Sequence, residues 1–349
     1  MATDGTTPIV ETCRTDRLSV RYRRLGDPDG EAVVLVHGNV SSARFWEPMA
    51  QSLPPGLDVI APDLRGYGGT ERRPVDATRG LRPFAEDLHA FLEALGVADP
   101  ALVGWSLGGG VSMRYAIERP TAVRALALIN PVSPYGFGGT RRDGTPCQPD
   151  CAGTGAGLTN DAFVESLSAG ERGADAPTDP RSVLREYYVA DADGLDPHHE
   201  DAYVYGMLEM ATGEDHYPGD VRLSEHWPGV APGTRGVNNA ISPRYCDLTA
   251  IADIAPKPPM LWLRGDADRI VSDRSHFDAG TLGQLGQLPE YPGEEVFPPQ
   301  PMVTQTADVL ETYADAGGTL EQAVLEGTGH GPHLERPGAV AETLAAFLG

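Results

Sequence analysis

The chain has 349 residues, of which 50 are acidic and 27 are basic, so its formal net charge is −23. So acidic a chain lacks the basic face that nucleic acid or an anionic membrane requires, and we expect neither as a partner. Its length suffices for one large domain or a domain with a subdomain. No run of 18 apolar residues occurs, so no membrane-spanning helix is predicted.

The cysteines are too few for a disulfide framework, since the chain has only four. Cys147 and Cys151 lie in a stretch rich in Gly and Pro and fit either a small loop staple or free thiols. No histidine lies near them at zinc spacing, so we expect no metal site. The polar N-terminal stretch 1–18 contains no signal-peptide h-region, which predicts a cytoplasmic location.

The first 130 residues predict strands that alternate with helices. Short apolar runs predict buried strands over 32–36, 57–61, 101–105 and 123–129. Alternating polar and apolar residues over 18–24 predict an antiparallel edge strand, and helical spacing predicts helices over 81–95 and 111–118. Buried strands that alternate with helices predict an α/β fold, in which helices cover both faces of a mostly parallel sheet.

This alternation stops at Pro131 and returns near residue 256. Between these points the sequence predicts helices near 161–169, 181–189 and 199–211. The last of them carries aromatic and methionine side chains that fit either packing within a helical layer or the wall of an apolar pocket, namely Tyr203, Tyr205, Met207 and Met210.

The C-terminal part again predicts α/β elements. Residues 259–263 and 320–325 predict strands and 339–348 a closing helix, with an excursion rich in Pro and Gly over 280–301. We therefore predict an α/β core of residues 1–130 and 256–349, interrupted by a mainly helical cap over 131–255.

Residues 104–108, Gly-Trp-Ser-Leu-Gly, lie where a predicted buried strand ends and a helix begins. This is the context of the G-x-S-x-G elbow, whose tight turn holds a serine hydroxyl above the sheet edge. The following helix N-terminus favours developing negative charge. Ser106 is therefore the candidate nucleophile, although the pattern alone also fits a glycine-rich turn with an uninvolved serine.

A serine hydroxyl needs a base to remove its proton, and the base needs an orienting carboxylate. His330, in the loop Gly-Thr-Gly-His after the last predicted strand, is the favoured base, and His333 is its rival. Asp268, in Gly-Asp-Ala-Asp after the preceding strand, is the favoured acid. Its rival, Asp266, is expected to bond loop amides instead.

An oxyanion hole is predicted beside this set. The backbone N–H groups of Asn39, in the loop His-Gly-Asn-Val after the first buried strand, and of Leu107 are the expected donors. We interpret His37 and Asp63 as structural. Four residues are expected to contact substrate: Trp105, Val40, Tyr135 and Ile270.

On these motifs the chain resembles serine hydrolases of the α/β-hydrolase fold superfamily. The motifs span about 18–130 and 259–349, whereas the predicted cap matches no pattern that we can name. The resemblance implies ester or other acyl hydrolysis through an acyl-enzyme, with no cofactor and no metal. Ser106 stands where dehalogenase-like and epoxide-hydrolase-like members carry Asp, which disfavours those two chemistries.

The predicted function is carboxylic-ester hydrolysis of a small or medium neutral substrate. The same residues would also serve a thioesterase, a lactonase, an amidase or a carbon–carbon hydrolase, and a non-catalytic ligand-binding homologue is a further alternative. Residues 1–130 hold 16 acidic and 14 basic side chains, so the segment with the candidate nucleophile is nearly neutral. This distribution favours a neutral ester over a strongly anionic one.

Overall fold

A computed structural model describes residues 7–349 and contains an eight-stranded sheet and a separate two-stranded one. The strands are β1 (Ile9–Arg14), β2 (Ser19–Gly26), β3 (Glu31–Val36), β4 (Leu57–Pro62), β5 (Ala101–Trp105), β6 (Ala125–Ile129), β7 (Val221–Leu223), β8 (Val230–Pro232), β9 (Met260–Gly265) and β10 (Leu320–Leu325). The large sheet has the order β1-β2-β4-β3-β5-β6-β9-β10. Its strands are parallel except for β2, which pairs antiparallel with both neighbours.

Helices flank this sheet and form most of the regular structure elsewhere. They are α1 (Glu47–Ala50), α2 (Arg82–Leu95), α3 (Leu107–Glu118), α4 (Asp161–Ala169), α5 (Pro180–Val183), α6 (Pro197–Leu208), α7 (Val237–Ala240), α8 (Ala279–Gln284), α9 (Met302–Asp315), α10 (Pro332–Glu335) and α11 (Pro337–Leu348). Every residue of β5 and β6 is buried, as expected for parallel strands that helices cover on both faces. The predicted α/β class is therefore confirmed.

Three sequence-based expectations for these elements were wrong or incomplete. The predicted strand over 18–24 is β2, which lies inside the sheet between β1 and β4 rather than at its edge. Strand β1, which does lie at an edge, was not predicted, because nearly every residue in it is solvent-exposed and shows no apolar alternation. Helix α3 begins at Leu107, whereas the prediction began at 111. The prediction was late because the three glycines in the first turn of the helix conceal the helical pattern. Helix α9 was not predicted at all, although it buries Val309, Leu310 and Tyr313.

Residues 131–255, here called the inserted segment, leave the sheet between β6 and β9. Helices α4 and α6 lie close to two of the predicted ranges, and α5 followed by a π-helical turn, Leu184–Tyr188, occupies the third. The small sheet of β7 and β8 was not predicted. Tyr203 and Met207 on α6 and Met210 just after it are buried, whereas Tyr205 is exposed. The ring of Tyr203 packs against that of Phe45 at 5.0 Å between centroids.

The excursion over 280–301 packs on the inserted segment. Phe297 is fully buried and meets the ring of Trp227 edge-on at 5.0 Å between centroids. The Asp278 carboxylate, at its start, accepts hydrogen bonds from the N–H of Gly139 and of Gln300. The excursion therefore packs against the inserted segment and, together with α9, accounts for the long spacing between Asp268 and His330.

Three further features of residues 7–349 bear on the sequence-based expectations. No helix among them is both long enough and apolar enough to cross a bilayer. They contain no group of three or more His, Cys, Asp or Glu side chains placed to hold a metal ion. Cys147 and Cys151 are free thiols rather than a loop staple.

Candidate active site

Ser106 lies in the tight turn between β5 and α3. Its backbone has φ 56° and ψ −119°, a conformation that non-glycine residues rarely adopt and that marks stored strain. A Cβ atom at Gly104 would lie 2.4 Å from the carbonyl oxygen of Gly108, and one at Gly108 would lie 2.0 Å from that of Val36. Only glycine fits on either side of the serine, and the turn holds the hydroxyl at the carboxyl edge of the sheet.

His330 and Asp268 form a buried pair at the same edge. Nδ1 of His330 lies 2.8 Å from Oδ2 of Asp268, and both side chains are almost completely buried. The other carboxylate oxygen accepts hydrogen bonds from the N–H of Ile270 at 2.7 Å and of Val271 at 3.0 Å. The fixed carboxylate selects the tautomer with the proton on Nδ1, which leaves Nε2 free to accept a proton.

Two side chains that we did not expect to position the candidate base hold the backbone of His330. The Nε1 of Trp105, next to Ser106 in the chain, donates to the His330 carbonyl oxygen at 2.7 Å. Asn130, at the end of β6, donates to the same oxygen at 2.8 Å, and its Oδ1 accepts from the N–H of Gly265 at 3.1 Å. Asn130 therefore joins the loops that carry the candidate base and the candidate acid, and Trp105 joins the base to the elbow.

The rival acid and the rival base have other surroundings. The Asp266 carboxylate accepts from the N–H of Gly327 at 2.7 Å, so it bonds a loop amide as the sequence predicts. His333 is fully buried between two indoles, with ring centroids 4.3 Å from Trp46 and 4.7 Å from Trp105. Neither ring nitrogen of His333 has a hydrogen-bond partner among residues 7–349. The contacts thus favour Asp268 and His330 over both rivals.

The loop after β3 lies directly against the elbow. A Cβ atom at Gly38 would lie 3.1 Å from Cβ of Ser106 and 2.9 Å from the indole of Trp105, so only glycine permits this approach. The backbone N–H groups of Asn39 and Leu107 donate to no acceptor within residues 7–349. Two unbonded amides beside a serine have the composition of an oxyanion hole.

His37 and Asp63 have the surroundings of structural residues. The Nε2 of His37 accepts from the N–H of Leu64 at 3.0 Å, and burial lowers the pKa of its imidazole. The Asp63 carboxylate accepts from the N–H of Ala43 and of Gly69, and it pairs with the guanidinium of Arg21. Both side chains therefore fix the loops behind the elbow.

The four residues expected to contact substrate have different surroundings. Trp105 and Val40 adjoin the elbow and the oxyanion loop, and both are buried. Ile270 is half-buried beside the carboxylate of Asp268. Tyr135 packs on Gly144, and burial and nearby carboxylates raise the pKa of its hydroxyl. The first three adjoin the candidate site, whereas the contact of Tyr135 with Gly144 lies within the inserted segment.

Sequence reasoning missed the contacts that the inserted segment makes with the site. The ring of Tyr188 lies edge-on to His330 at 5.9 Å and to Trp105 at 5.8 Å between centroids. Its carbonyl oxygen accepts from the N–H of Gly331 at 2.7 Å. Glu335 accepts from the N–H of Gly329 at 2.6 Å and from two amides just after Tyr188. No local pattern marks these long-range contacts.

The buried His333 predicts a specific pH dependence of stability. Burial, with a contribution from His330, lowers the pKa of its imidazole well below the usual 6.5. The folded protein therefore keeps the ring neutral, while the unfolded chain protonates it below about pH 6.5. The stability that depends on this neutral ring is complete above that pH and is lost as the pH falls below it.

His333→Phe should therefore weaken the acid dependence of the unfolding free energy. The free energy of unfolding falls between pH 7.5 and 5.5, and this fall should be smaller in His333→Phe than in the wild type by about 1.4 kcal/mol. This figure corresponds to one pH unit below 6.5, over which only the unfolded wild-type chain takes up a proton on His333. Urea unfolding at both pH values measures it, with the exposed His198→Gln as control. Equal pH slopes in His333→Phe and the wild type would contradict the prediction.

Comparison with known proteins supports the same fold. The α/β-hydrolase fold family model matches residues 31–143. The putative carbamate hydrolase RutD of Variovorax paradoxus is 37% identical over 114 residues, which are 32% of this chain and 42% of that protein. A haloalkane dehalogenase of Bradyrhizobium diazoefficiens is 32% identical over 116 residues, which are 33% of this chain and 37% of that protein. The chain thus matches less than half the length of either relative.

Structural similarity extends over the whole chain. The crystal structure of a putative aryl esterase from Burkholderia cenocepacia superposes with a TM-score of 0.61 at 17% sequence identity. The superposition covers 97% of this chain and 98% of the esterase. Identity this low supports the fold and leaves the reaction open. Together, the family match, the relatives and this likeness show that the chain has the α/β-hydrolase fold.

Proposed function

We propose that the chain is a cytoplasmic serine hydrolase that cleaves the carboxylic ester of a small or medium neutral substrate. The observation that carries the proposal is the buried pair of His330 and Asp268, which has its Nδ1–Oδ2 contact at 2.8 Å beside the strained elbow of Ser106. A serine, a base with Nε2 free and an anchored carboxylate are the groups that acyl transfer needs.

In the proposed reaction, Nε2 of His330 takes the proton of Ser106 while the serine oxygen attacks the acyl carbonyl carbon. The imidazolium that forms is stabilised by Asp268, which stays ionised. The carbonyl oxygen becomes an oxyanion and accepts hydrogen bonds from the N–H groups of Asn39 and Leu107. Each such donor typically contributes about 3 kcal/mol to the stability of the transition state.

The tetrahedral intermediate then collapses and the ester C–O bond breaks. His330 gives its proton to the leaving alcohol, so that the acyl group remains on Ser106. A water molecule, deprotonated by the same imidazole, attacks the acyl carbon of the acyl-enzyme. The bond from this carbon to the oxygen of Ser106 then breaks, His330 returns the proton to that oxygen, and the carboxylic acid is released. No step in this sequence requires a metal or a cofactor, and the inserted segment would set the acyl and alcohol preferences.

Thioester, lactone, amide and carbon–carbon bonds could be cleaved by the same groups, and a non-catalytic binding protein is the remaining alternative. The relatives leave the bond open, because one is a putative carbamate hydrolase, another is a haloalkane dehalogenase, and each matches only about a third of this chain. The serine at position 106 supports acyl chemistry over dehalogenation. We therefore retain the ester as the proposed substrate.

A substrate panel tests the bond and the charge preference. We expect kcat/KM for p-nitrophenyl butyrate to exceed that for the hemisuccinate ester with the same leaving group, because residues 1–130 are nearly neutral and the rest of the chain repels anions. Matched thioester, amide and carbamate substrates complete the panel. Preference for the anionic ester would contradict the charge argument. Faster turnover of another bond type would make that bond, and not the ester, the proposed substrate.

A further inference from the structure

All polar groups of Asn39 except its backbone N–H are bonded to protein atoms. Its Oδ1 accepts from the hydroxyl of Tyr67 at 2.6 Å, and its Nδ2 donates to Oδ1 of Asn238 at 2.9 Å. Its carbonyl oxygen accepts from the hydroxyl of Tyr188 at 3.2 Å. The unbonded N–H adjoins Gly38, whose Cα leaves room for the side chain of Ser106. The Oδ1 of Asn39 also accepts from the N–H of Val40 at 3.0 Å. These four contacts fix the residue and leave its backbone N–H for a ligand.

The partners of Asn39 are themselves held in place. The side chains of Tyr67 and Tyr188 are buried, and burial raises the pKa of both hydroxyls, so they remain protonated donors. The Nδ2 of Asn238 donates to the hydroxyl oxygen of Thr159 at 2.8 Å, which fixes the orientation of its amide. Of these partners only Tyr67 comes from the part of the chain that forms the large sheet. Tyr188, Asn238 and Thr159 belong to the inserted segment.

We propose that Tyr188 and Asn238 are positioning residues, which hold the N–H of Asn39 where the oxyanion forms. This inference rests on the proposed function. A donor stabilises a transition state best when it is fixed before the reaction, because no reorganisation is then needed as charge develops. The inserted segment would accordingly complete the oxyanion hole, in addition to shaping the pocket.

A direct acid role for Tyr188 fits the contacts less well. Its hydroxyl lies within hydrogen-bond distance of two backbone carbonyl oxygens, of Asn39 at 3.2 Å and of Val40 at 3.4 Å. A proton directed at these acceptors is not directed at a substrate. The hydroxyl therefore bonds the oxyanion loop, and its removal should act through that loop.

Tyr188→Phe removes the hydroxyl and keeps the ring that packs against His330. We expect kcat for the neutral ester to fall about tenfold or more while KM changes less than twofold, since the lost interaction acts in the transition state. Affinity for an anionic boronate that mimics the tetrahedral intermediate should fall in parallel with kcat. The matched control is Tyr187→Phe, whose ring packs on Phe277 instead.

Asn238→Ala provides the second arm, through a double-mutant cycle with Asn39→Ala. Asn238→Ala should lower kcat in the wild type and have no further effect in Asn39→Ala, which keeps the backbone N–H but lacks the side chain that Asn238 holds. Urea unfolding of each variant separates loss of fold from loss of function. A raised KM with unchanged kcat, or equal effects of Asn238→Ala in both backgrounds, would overturn the positioning role.

The outcomes also separate this inference from the proposed function. If a fluorophosphonate fails to label Ser106 in the wild type, the proposed function fails. If it labels Ser106 but Tyr188→Phe leaves kcat and boronate affinity unchanged, only the positioning role is overturned. Labelling together with a parallel loss of both quantities supports the inference.

Discussion

Ser106→Ala should lower kcat for the best ester of the panel by about 10⁴-fold to 10⁶-fold. The serine oxygen is the atom that forms the acyl bond, and no other side chain of the site replaces it, so the remaining rate would come from the oxyanion hole and from binding. Initial rates with p-nitrophenyl butyrate measure the loss. The variant should unfold at nearly the urea concentration of the wild type, because alanine retains the backbone conformation and loses only one oxygen.

The matched control is Ser112→Ala in the same segment. Ser112 lies on α3, is fully buried, and its hydroxyl has no hydrogen-bond partner among residues 7–349. Its removal should leave kcat within about twofold of the wild type. Equal losses in both variants would indicate a general effect on α3, and full turnover by Ser106→Ala would exclude the proposed nucleophile.

Asp268→Asn should produce the second large effect, a fall in kcat of about 10⁴-fold. Loss of the anion removes the group that stabilises the imidazolium, and an amide hydrogen facing Nδ1 favours the wrong tautomer of His330. The substitution is nearly isosteric, so the N–H groups of Ile270 and Val271 keep an acceptor. The measurement is kcat with the same ester, together with the unfolding free energy.

Asp266→Asn is the control for the acid assignment. Its carboxylate accepts from the N–H of Gly327, which an amide oxygen can also do, so kcat should change only slightly. If Asp266→Asn abolishes turnover and Asp268→Asn does not, the assignment of the acid is wrong. This pair of variants therefore distinguishes the two carboxylates that the sequence leaves in competition.

The predictable part of the site lies on short stretches of sequence. The glycines around Ser106 are needed because carbonyl oxygens approach within 2.4 Å of where a Cβ atom would be, and such constraints appear as a local pattern. The chain order of the candidate nucleophile, acid and base could be derived in the same way. Each follows a strand of the parallel sheet, and the carboxyl ends of these strands meet at one edge.

The unpredicted part depends on contacts between distant residues. Asn130 directly follows a predicted strand and belongs to no motif, yet its side chain bonds loops more than 130 positions away. Tyr188 and Asn238 lie in the inserted segment, where neither hydrophobic periodicity nor a known motif indicates which side chains point to the core. Strand β1 was missed for a different reason, because exposure on both faces removes the alternation by which strands are recognised.

The most direct test of the proposed hydrolase is labelling of the wild-type chain with a fluorophosphonate, followed by peptide mass spectrometry. Such a probe forms a stable adduct only with a serine whose hydroxyl a neighbouring base activates. We predict one adduct, on Ser106, and at most trace labelling in Asp268→Asn. Absence of an adduct on Ser106 in wild-type protein that hydrolyses the ester would contradict the proposed mechanism.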